Sequence, residues 1–313
     1  MAKVMAESIV VLGYGAVGRA VTAQLATRGG SVIVGQRSEP AALPKPATFK
    51  SVDLNVRESV VSACAGADAV ICCAGLPYRS DLWERVWPAA MRNMLDASAA
   101  AHARFVFADN LYMYGPQTDP LVETMPLTNF GRKPKVRADI TRLWQEDHAR
   151  GRVEAVAVRA SDFYGPKVET SVLSEFGIAR LVAGNPALIP YCPDYPHDFT
   201  YVPDFASALV TLLDAPSDCY GQAWHAPNAP TRTLRDHLAM AAGIIASPLR
   251  VRILPQWLKP IIGMFEPNIR ELHEMQFQTD RPYRVDSSKF TRRFWNDSTE
   301  FEVGIAATVA SYR

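Results

Sequence analysis

A short apolar stretch, Ser8–Leu12, runs directly into three glycines spaced Gly13-x-Gly15-x-x-Gly18. The surroundings turn a common glycine pattern into a specific one. Ile9–Leu12 reads as a strand, and Ala16–Arg28 carries Val17, Ala20, Val21, Gln24 and Leu25 at helical spacing. Gly29-Gly30 then stops the helix before a second strand, Val32–Val34. Gly13 permits the tight turn, Gly15 lets backbone amides approach a pyrophosphate, and Gly18 lets helix and strand pack closely. The helix N-terminus adds partial positive charge for an anion. Gly13, Tyr14, Gly15, Ala16, Val17 and Gly18 are therefore the expected cradle for a dinucleotide.

The chain has 313 residues, enough for one large domain or two unequal ones. A net charge of +1 offers no general attraction for nucleic acid or an anionic membrane. No apolar run has the length of a membrane span. Met1–Glu7 leads into the first strand with no room for a cleavable signal peptide. Cys64, Cys72, Cys73, Cys192 and Cys219 lack metal-type spacing, and reduced, buried thiols suit a cytoplasmic protein. The expected partner is a small-molecule substrate, with no metal.

Strands and helices alternate through the first half. After a Pro-rich loop (Pro40, Pro44, Pro46) comes a strand ending at Val52-Asp53-Leu54, then a helix over Val56–Ala65. A strand at Ala69–Ala74 precedes a long helix, Asp81–Ala103, with Pro88 inside it. Arg104–Ala108, a helix near Val136–Arg150, and the strand Glu154–Arg159 complete the alternation. This pattern predicts an α/β fold with a doubly wound parallel sheet, a Rossmann fold. Residues 1–165 form the dinucleotide-binding domain, with 199–226 returning to it. Residues 166–198 and 227–313, with helices near Ser174–Ala183 and Leu234–Gly243, form a smaller substrate lobe.

The second strand ends Val34-Gly35-Gln36-Arg37. An acid at this point would bind the ribose diol of NAD; here it is missing, and Arg37 suits a 2′-phosphate. NADP is therefore expected ahead of NAD, with NAD left open if Arg37 is only solvated.

Further stretches follow in order: Val52-Asp53-Leu54, Cys73-Ala74-Gly75, Phe107 to Pro116, Arg159 to Pro166, and Phe199 to Asp204. Together they resemble the extended short-chain dehydrogenase/reductase superfamily, of the NAD(P)-dependent epimerase/dehydratase type. The resemblance covers nearly the whole chain. It implies that Asp53 and Leu54 lie by the adenine, and that Cys73, Ala74, Gly75 and Leu76 pass beside the cofactor. It also implies a homodimer paired through the two long helices.

The chemistry departs from the family pattern, in which a Ser or Thr precedes Tyr-x-x-x-Lys and the lysine lowers a tyrosine pKa from about 10. Here Asn110 stands at the serine position, Lys133 at the tyrosine and Arg137 at the lysine. Arg137 keeps a permanent charge for the cofactor ribose or phosphate, or belongs with Arg132, Lys133 and Lys135 to a solvated basic helix start. Lys133 acts as a proton donor only if its pKa is strongly lowered. Asn110, Tyr112 and Tyr114 alternate beyond a strand and share one face if extended geometry persists. Tyr112 is the preferred replacement acid, and Asn110 a ligand for a substrate oxygen. Ser161 and His197 are further substrate contacts, and Asp109 and Asp162 either orient a partner or cap turns. Two functions follow. One is an NAD(P)-dependent oxidoreductase, epimerase or dehydratase acting on a carbonyl or carbinol carbon of a small polar metabolite, such as a sugar or sugar nucleotide. The other is a catalytically inactive NADP-binding sensor.

Overall fold

In the computed structural model, residues 7–169, 171–255, 271 and 273–313 are described. The apolar run before the glycines becomes β1 (Ser8–Leu12), buried from Ile9 onward. A strand buried on both faces needs helices above and below its sheet. Alternation supplies them through α1 (Ala16–Ala26), β2 (Ser31–Gln36), β3 (Thr48–Ser51), α2 (Arg57–Cys64), β4 (Ala69–Cys72) and α3 (Ser80–Ala101). β5 (Arg104–Asp109), α4 (Lys133–Ala149) and β6 (Ala155–Arg159) follow. The chain continues with β7 (Asp162–Tyr164), α5 (Arg180–Val182), β8 (Ala187–Ile189), β9 (Pro196–His197), β10 (Phe199–Tyr201) and α6 (Val202–Leu213). Its last described elements are β11 (Ala223–His225), β12 (Arg232–Thr233), α7 (Leu234–Ile245), β13 (Val251–Ile253), α8 (Ser288–Arg293) and α9 (Phe301–Ser311).

Seven strands form one parallel sheet in the order β11-β6-β5-β4-β1-β2-β3. The winding direction reverses between β1 and β4, and the crevice past the strand ends at such a point is where open α/β sheets bind ligands. One sheet face is covered by α1 and α6, with Val21, Leu25, Phe205 and Leu209 in its core. The other is covered by α2, α3 and α4, with Met91, Phe105, Trp87 and Trp144. A third core gathers Leu173, Ile189, Phe199, Leu238 and Phe301 beside the sheet.

Several local expectations change. β3 ends at Ser51, so Asp53 and Leu54 lie beyond it. α4 starts at Lys133, because Pro134 fits a first helical turn, where no N–H is needed. Asn110 to Tyr114 does not stay extended: Tyr112–Tyr114 is a 3₁₀ turn, so Tyr112 and Tyr114 reach different neighbours. Cys192 is exposed, whereas Cys64, Cys72 and Cys219 are buried; all five cysteines are free. The outward residues of α3 and α4 are largely charged, among them Glu84, Arg85, Arg92, Lys135 and Glu146. Among the described residues, no helix is long and apolar enough to cross a membrane.

The strand ends are fastened by a buried polar chain. Asp109, Arg159 and His225 close β5, β6 and β11 and stand opposite one another in register. The Asp109 carboxylate accepts from Arg137 Nη2 with one oxygen and from Arg159 Nε at 3.3 Å with the other. Its first oxygen also accepts the Asn110 amide at 2.9 Å, so turn capping and ion pairing coexist. Arg159 donates onward to Tyr114 Oη at 2.6 Å and to Thr141 Oγ1, on α4, at 3.2 Å. Tyr114 Oη lies 2.8 Å from His225 Nε2, and His225 Nδ1 lies 3.0 Å from the Asp286 carbonyl. A carbonyl only accepts, so Nδ1 carries the proton and Nε2 accepts from Tyr114. Burial, reinforced by Arg159, pulls the His225 pKa down to about 3, which keeps the ring neutral.

Asp109 is thus the shared anion for two buried guanidiniums. Breaking such a pair leaves uncompensated buried charge and costs about 3–5 kcal/mol. Asp109→Asn is expected to lower unfolding free energy by about that amount in urea titration. A loss below about 1 kcal/mol would show that the two arginines do not depend on this carboxylate.

Candidate active site

The glycine turn has the shape of an anion cradle. Gly13 adopts φ +94° and donates its amide to the Gly35 carbonyl at 2.8 Å. A side chain there would meet Ala74 Cα at 2.6 Å, so the turn packs directly on the loop that follows β4. Gly15 and Gly75 face open space, where a Cβ would meet nothing within 4 Å. Gly15 caps α1 without a side-chain hydrogen bond, and the first turn has no acid. The first amides of α1, Ala16 to Gly18, are therefore free of competing carboxylates, as an anion site requires. These residues fit a dinucleotide.

Gln36 closes β2 and takes a bridging role. Its Oε1 accepts the Tyr14 amide at 3.2 Å and its Nε2 donates to the Ser38 carbonyl at 2.7 Å. Arg37 beside it is exposed. Asp53 Oδ1 accepts the Asn55 amide at 2.9 Å, and the Leu54 carbonyl accepts Asn93 Nδ2 at 2.8 Å, which fixes the loop after β3. Cys73 donates its amide to the Leu12 carbonyl at 2.8 Å, joining the loop Cys73–Leu76 to the end of β1.

The 3₁₀ turn after β5 sets the position of the phenol. Asn110 Oδ1 accepts the Tyr112 amide at 3.1 Å, and the Tyr112 ring stacks on Trp83 with centroids 6.2 Å apart. The Tyr78 side chain lies near Tyr112 and acts on its phenol. Burial, then the nearby Asp162 charge, pushes the Tyr112 pKa above its ordinary value, against the pull of Tyr78 and Arg137. The phenol therefore stays protonated at neutral pH.

Lys133 and Arg137, expected at the Tyr-x-x-x-Lys positions, are both enclosed. The Arg137 guanidinium lies against the rings of Trp87 (4.9 Å), Phe107 (5.0 Å) and Trp83 (5.8 Å) while holding Asp109. Lys133 has no exposed side-chain surface. Its Nζ donates to the Glu271 carboxylate, to Ser80 Oγ at 3.0 Å and to Glu274 at 3.3 Å, and sits 4.6 Å from the Tyr78 ring centroid. Against the burial that would raise it, Lys133 and Ser80 hold the Glu271 carboxyl below its ordinary pKa. Glu271 also accepts the Ser80 amide at 3.0 Å, and Glu274 accepts the amides of Arg132 and Lys133. These two carboxylates thereby serve the N-termini of α3 and α4, where negative charge is favourable. Of the basic group at the start of α4, only Arg132 and Lys135 are solvated.

On the opposite wall His197 is buried, and its Nε2 lies 3.0 Å from Asp162 Oδ2. Its ring packs between Phe199 and Tyr283, at 4.7 and 5.2 Å. Ser161 is turned inward: its hydroxyl donates to the Asp198 carbonyl and its amide to Thr200 Oγ1 at 3.1 Å, fastening β7 to β10. Leu76 packs with the core under α3. The sequence reading missed Glu271 and Glu274 as partners of Lys133, and His225 as the end of the Arg159 chain. A Glu-x-x-Glu spacing, one helical turn apart, is the only local trace of the first. Among the described residues, no group of His, Cys, Asp and Glu is arranged to hold a metal.

Comparison with known proteins accords with this arrangement. Solved structures with similar folds include a UDP-glucose 4-epimerase from Thermus thermophilus, determined with NAD, at 20% identity and a TM-score of 0.77 over 97% of this chain and 98% of that one. The dTDP-glucose 4,6-dehydratase of Streptomyces venezuelae, also determined with NAD, gives 16% identity and 0.79 over 97% and 96%. An epimerase from Methanothermobacter thermautotrophicus gives 16% and 0.81 over 97% and 92%. No curated protein matches. A family model described as "NAD dependent epimerase/dehydratase family" matches residues 9–223, from the first strand to the last strand of the sheet. With the glycine cradle at one end of that span and the edge strand at the other, the chain belongs to the NAD dependent epimerase/dehydratase family.

Proposed function

We propose that the protein is an NADP-preferring oxidoreductase that reduces a carbonyl carbon of a small polar metabolite, with Tyr112 as the proton donor. When bound, the nicotinamide dinucleotide supplies hydride, and the protein's own work is orientation and proton delivery. The observation that carries the reading is the placement of Tyr112: Asn110 fixes its turn just beyond β5, at the strand ends where the sheet opens, and its ring stacks on Trp83.

In the reductive direction a tyrosine, protonated at neutral pH, is the acid. As negative charge develops on the substrate oxygen, Tyr112 Oη gives up its proton, and the Tyr78 hydroxyl stabilises the phenolate left behind. The positive charge of Arg137 lowers the cost of that anion. Asn110 fixes the turn that aims Tyr112. Lys133, already enclosed by Glu271 and Glu274, braces Tyr78 instead of donating a proton. The amides of Ala16 to Gly18 hold the pyrophosphate, and Arg37 meets a 2′-phosphate. One observation favours the sensor reading: Lys133 and Arg137, in the positions of the usual catalytic pair, are both engaged in structural contacts.

Replacing Tyr112 with Phe is expected to lower kcat about 10²–10⁴-fold with NADPH affinity unchanged, measured as absorbance loss with a panel of aldehydes and ketones. Turnover equal to the parent would remove Tyr112 as the acid. Tight NADPH binding by the parent without turnover across the panel would favour the sensor. For cofactor choice, Arg37→Ala should weaken NADPH roughly ten-fold, the loss of one charge-assisted hydrogen bond, and leave NADH unchanged. An NADH preference in the unmodified protein would contradict the NADP assignment.

A further inference from the structure

We propose that His237 makes the docking of α9 acid-sensitive, and that docked α9 steadies the cofactor cradle through the loop after β7. His237 lies on α7 and is fully buried. Its ring centroid is 4.1 Å from that of Phe301, the first residue of α9, and 5.3 Å from that of Phe199 on β10, edge-on. Among the described residues, neither Nδ1 nor Nε2 has a hydrogen-bond partner. A ring held this way is confined to its neutral form, because a second proton would put an unpaired charge among apolar side chains. Leu234, Leu238 and Ala241 of α7 share that core with Phe301, Ile305 and Val309 of α9.

The charged groups around the ring are committed elsewhere or exposed. On α7 itself, the Asp236 carboxylate closes a capping box, accepting the Thr233 amide at 3.0 Å and its hydroxyl at 2.7 Å, and Arg235 pairs with Asp194. Arg232 on β12 pairs with Glu302 of α9 at 3.1 Å, and Glu300, at the cap of α9, is exposed. His197 on β9 is separated from His237 by Phe199 and pairs with Asp162. Tyr164 on β7 packs on Phe301 and stays a neutral phenol, its pKa pushed up by burial. Arg180 on α5 donates to the Pro186 carbonyl, and Glu175, in the helical segment Val172–Ala179, is exposed. Burial accordingly pulls the His237 pKa down to about 3, against the opposing charge of Asp236.

Once α9 lifts, Phe301 leaves the ring and the imidazole regains an ordinary pKa of about 6.5. The undocked state then binds the proton more tightly. Docking is at full strength above that value and weakens progressively as pH falls toward 3. Between pH 7.5 and 5.5 the undocking equilibrium rises about ten-fold. The far end of α9 carries the effect onward. Ser311 Oγ accepts the Lys167 amide at 3.4 Å, and Tyr312 Oη donates to the Val168 carbonyl at 3.0 Å. The Lys167 carbonyl accepts Arg19 Nη2 at 3.1 Å, and Arg19 directly follows Gly18 of the cradle. Cofactor in the cradle and docked α9 therefore favour each other.

Hydrogen exchange of the α9 amides, divided by their intrinsic rates, reads the undocking equilibrium. In the unmodified protein these amides should exchange faster than those of β1, and about ten-fold faster at pH 5.5 than at pH 7.5. His237→Leu, which cannot take up a proton, should make α9 exchange equal at the two pH values. Saturating NADP⁺ should slow α9 exchange about two-fold or more at either pH, since linkage is reciprocal. Exchange of α9 that ignores pH, that runs in step with β1, or that keeps its acid response in His237→Leu would each overturn the acid sensitivity. Exchange of α9 indifferent to NADP⁺ would overturn its tie to the cradle. The pH and cofactor series on the unmodified protein stand as tests even if the variant fails to fold.

Discussion

The Asp109 carboxylate, held between two buried guanidiniums, is the contact on which the cleft depends. It joins β5 to β6 through Arg159 and to α4 through Arg137, at the strand ends where the sheet opens. Arg159 extends the same connection to Thr141 on α4 and, through Tyr114, to His225 on β11. Because the chain is buried, each member must be satisfied or the whole becomes costly. The turn that carries Tyr112 leaves directly from this anchor, since the Asn110 amide is bonded to Asp109. The phenol's position therefore follows from an electrostatic constraint in the sheet.

That constraint also accounts for an arginine at 137, the position where the family resemblance leads one to expect a lysine. A lysine there would present a compact point charge, whereas the Arg137 guanidinium is planar, lies against Trp87 and Phe107, and reaches Asp109. A tyrosine in place of Lys133 would leave Glu271 and Glu274 without their cation. Ion pairs occupy both positions, and the phenol proposed as the acid, Tyr112, stands on the turn after β5.

Much of this was legible along the chain, for a physical reason. Strand and helix periodicity, the glycine spacing at Gly13–Gly18 and the missing acid after β2 are local patterns, and local patterns survive in a linear text. The doubly wound parallel sheet followed from them. The rest depends on contacts between distant residues. Lys133 meets Glu271 across 138 positions, and Arg159 meets Tyr114 across 45. Nothing around Lys133 distinguishes a solvated helix start from a buried ion cluster. The alternation of Asn110, Tyr112 and Tyr114 suggested one face, but the Asn110 side chain bonds the Tyr112 amide and curls the backbone into a turn. The burial of His197 left no local trace because its partner, Asp162, lies 35 positions earlier.

The central claim is that this family member still performs hydride chemistry without the usual tyrosine–lysine pair. The most direct measurement is isotope transfer: incubate the protein with NADPH carrying deuterium at both nicotinamide C4 positions and a small ketone, then examine the product by NMR. The account predicts one deuterium on the new carbinol carbon for each NADPH oxidised. A carbinol product without deuterium, or no product while the cofactor stays tightly bound, would contradict it.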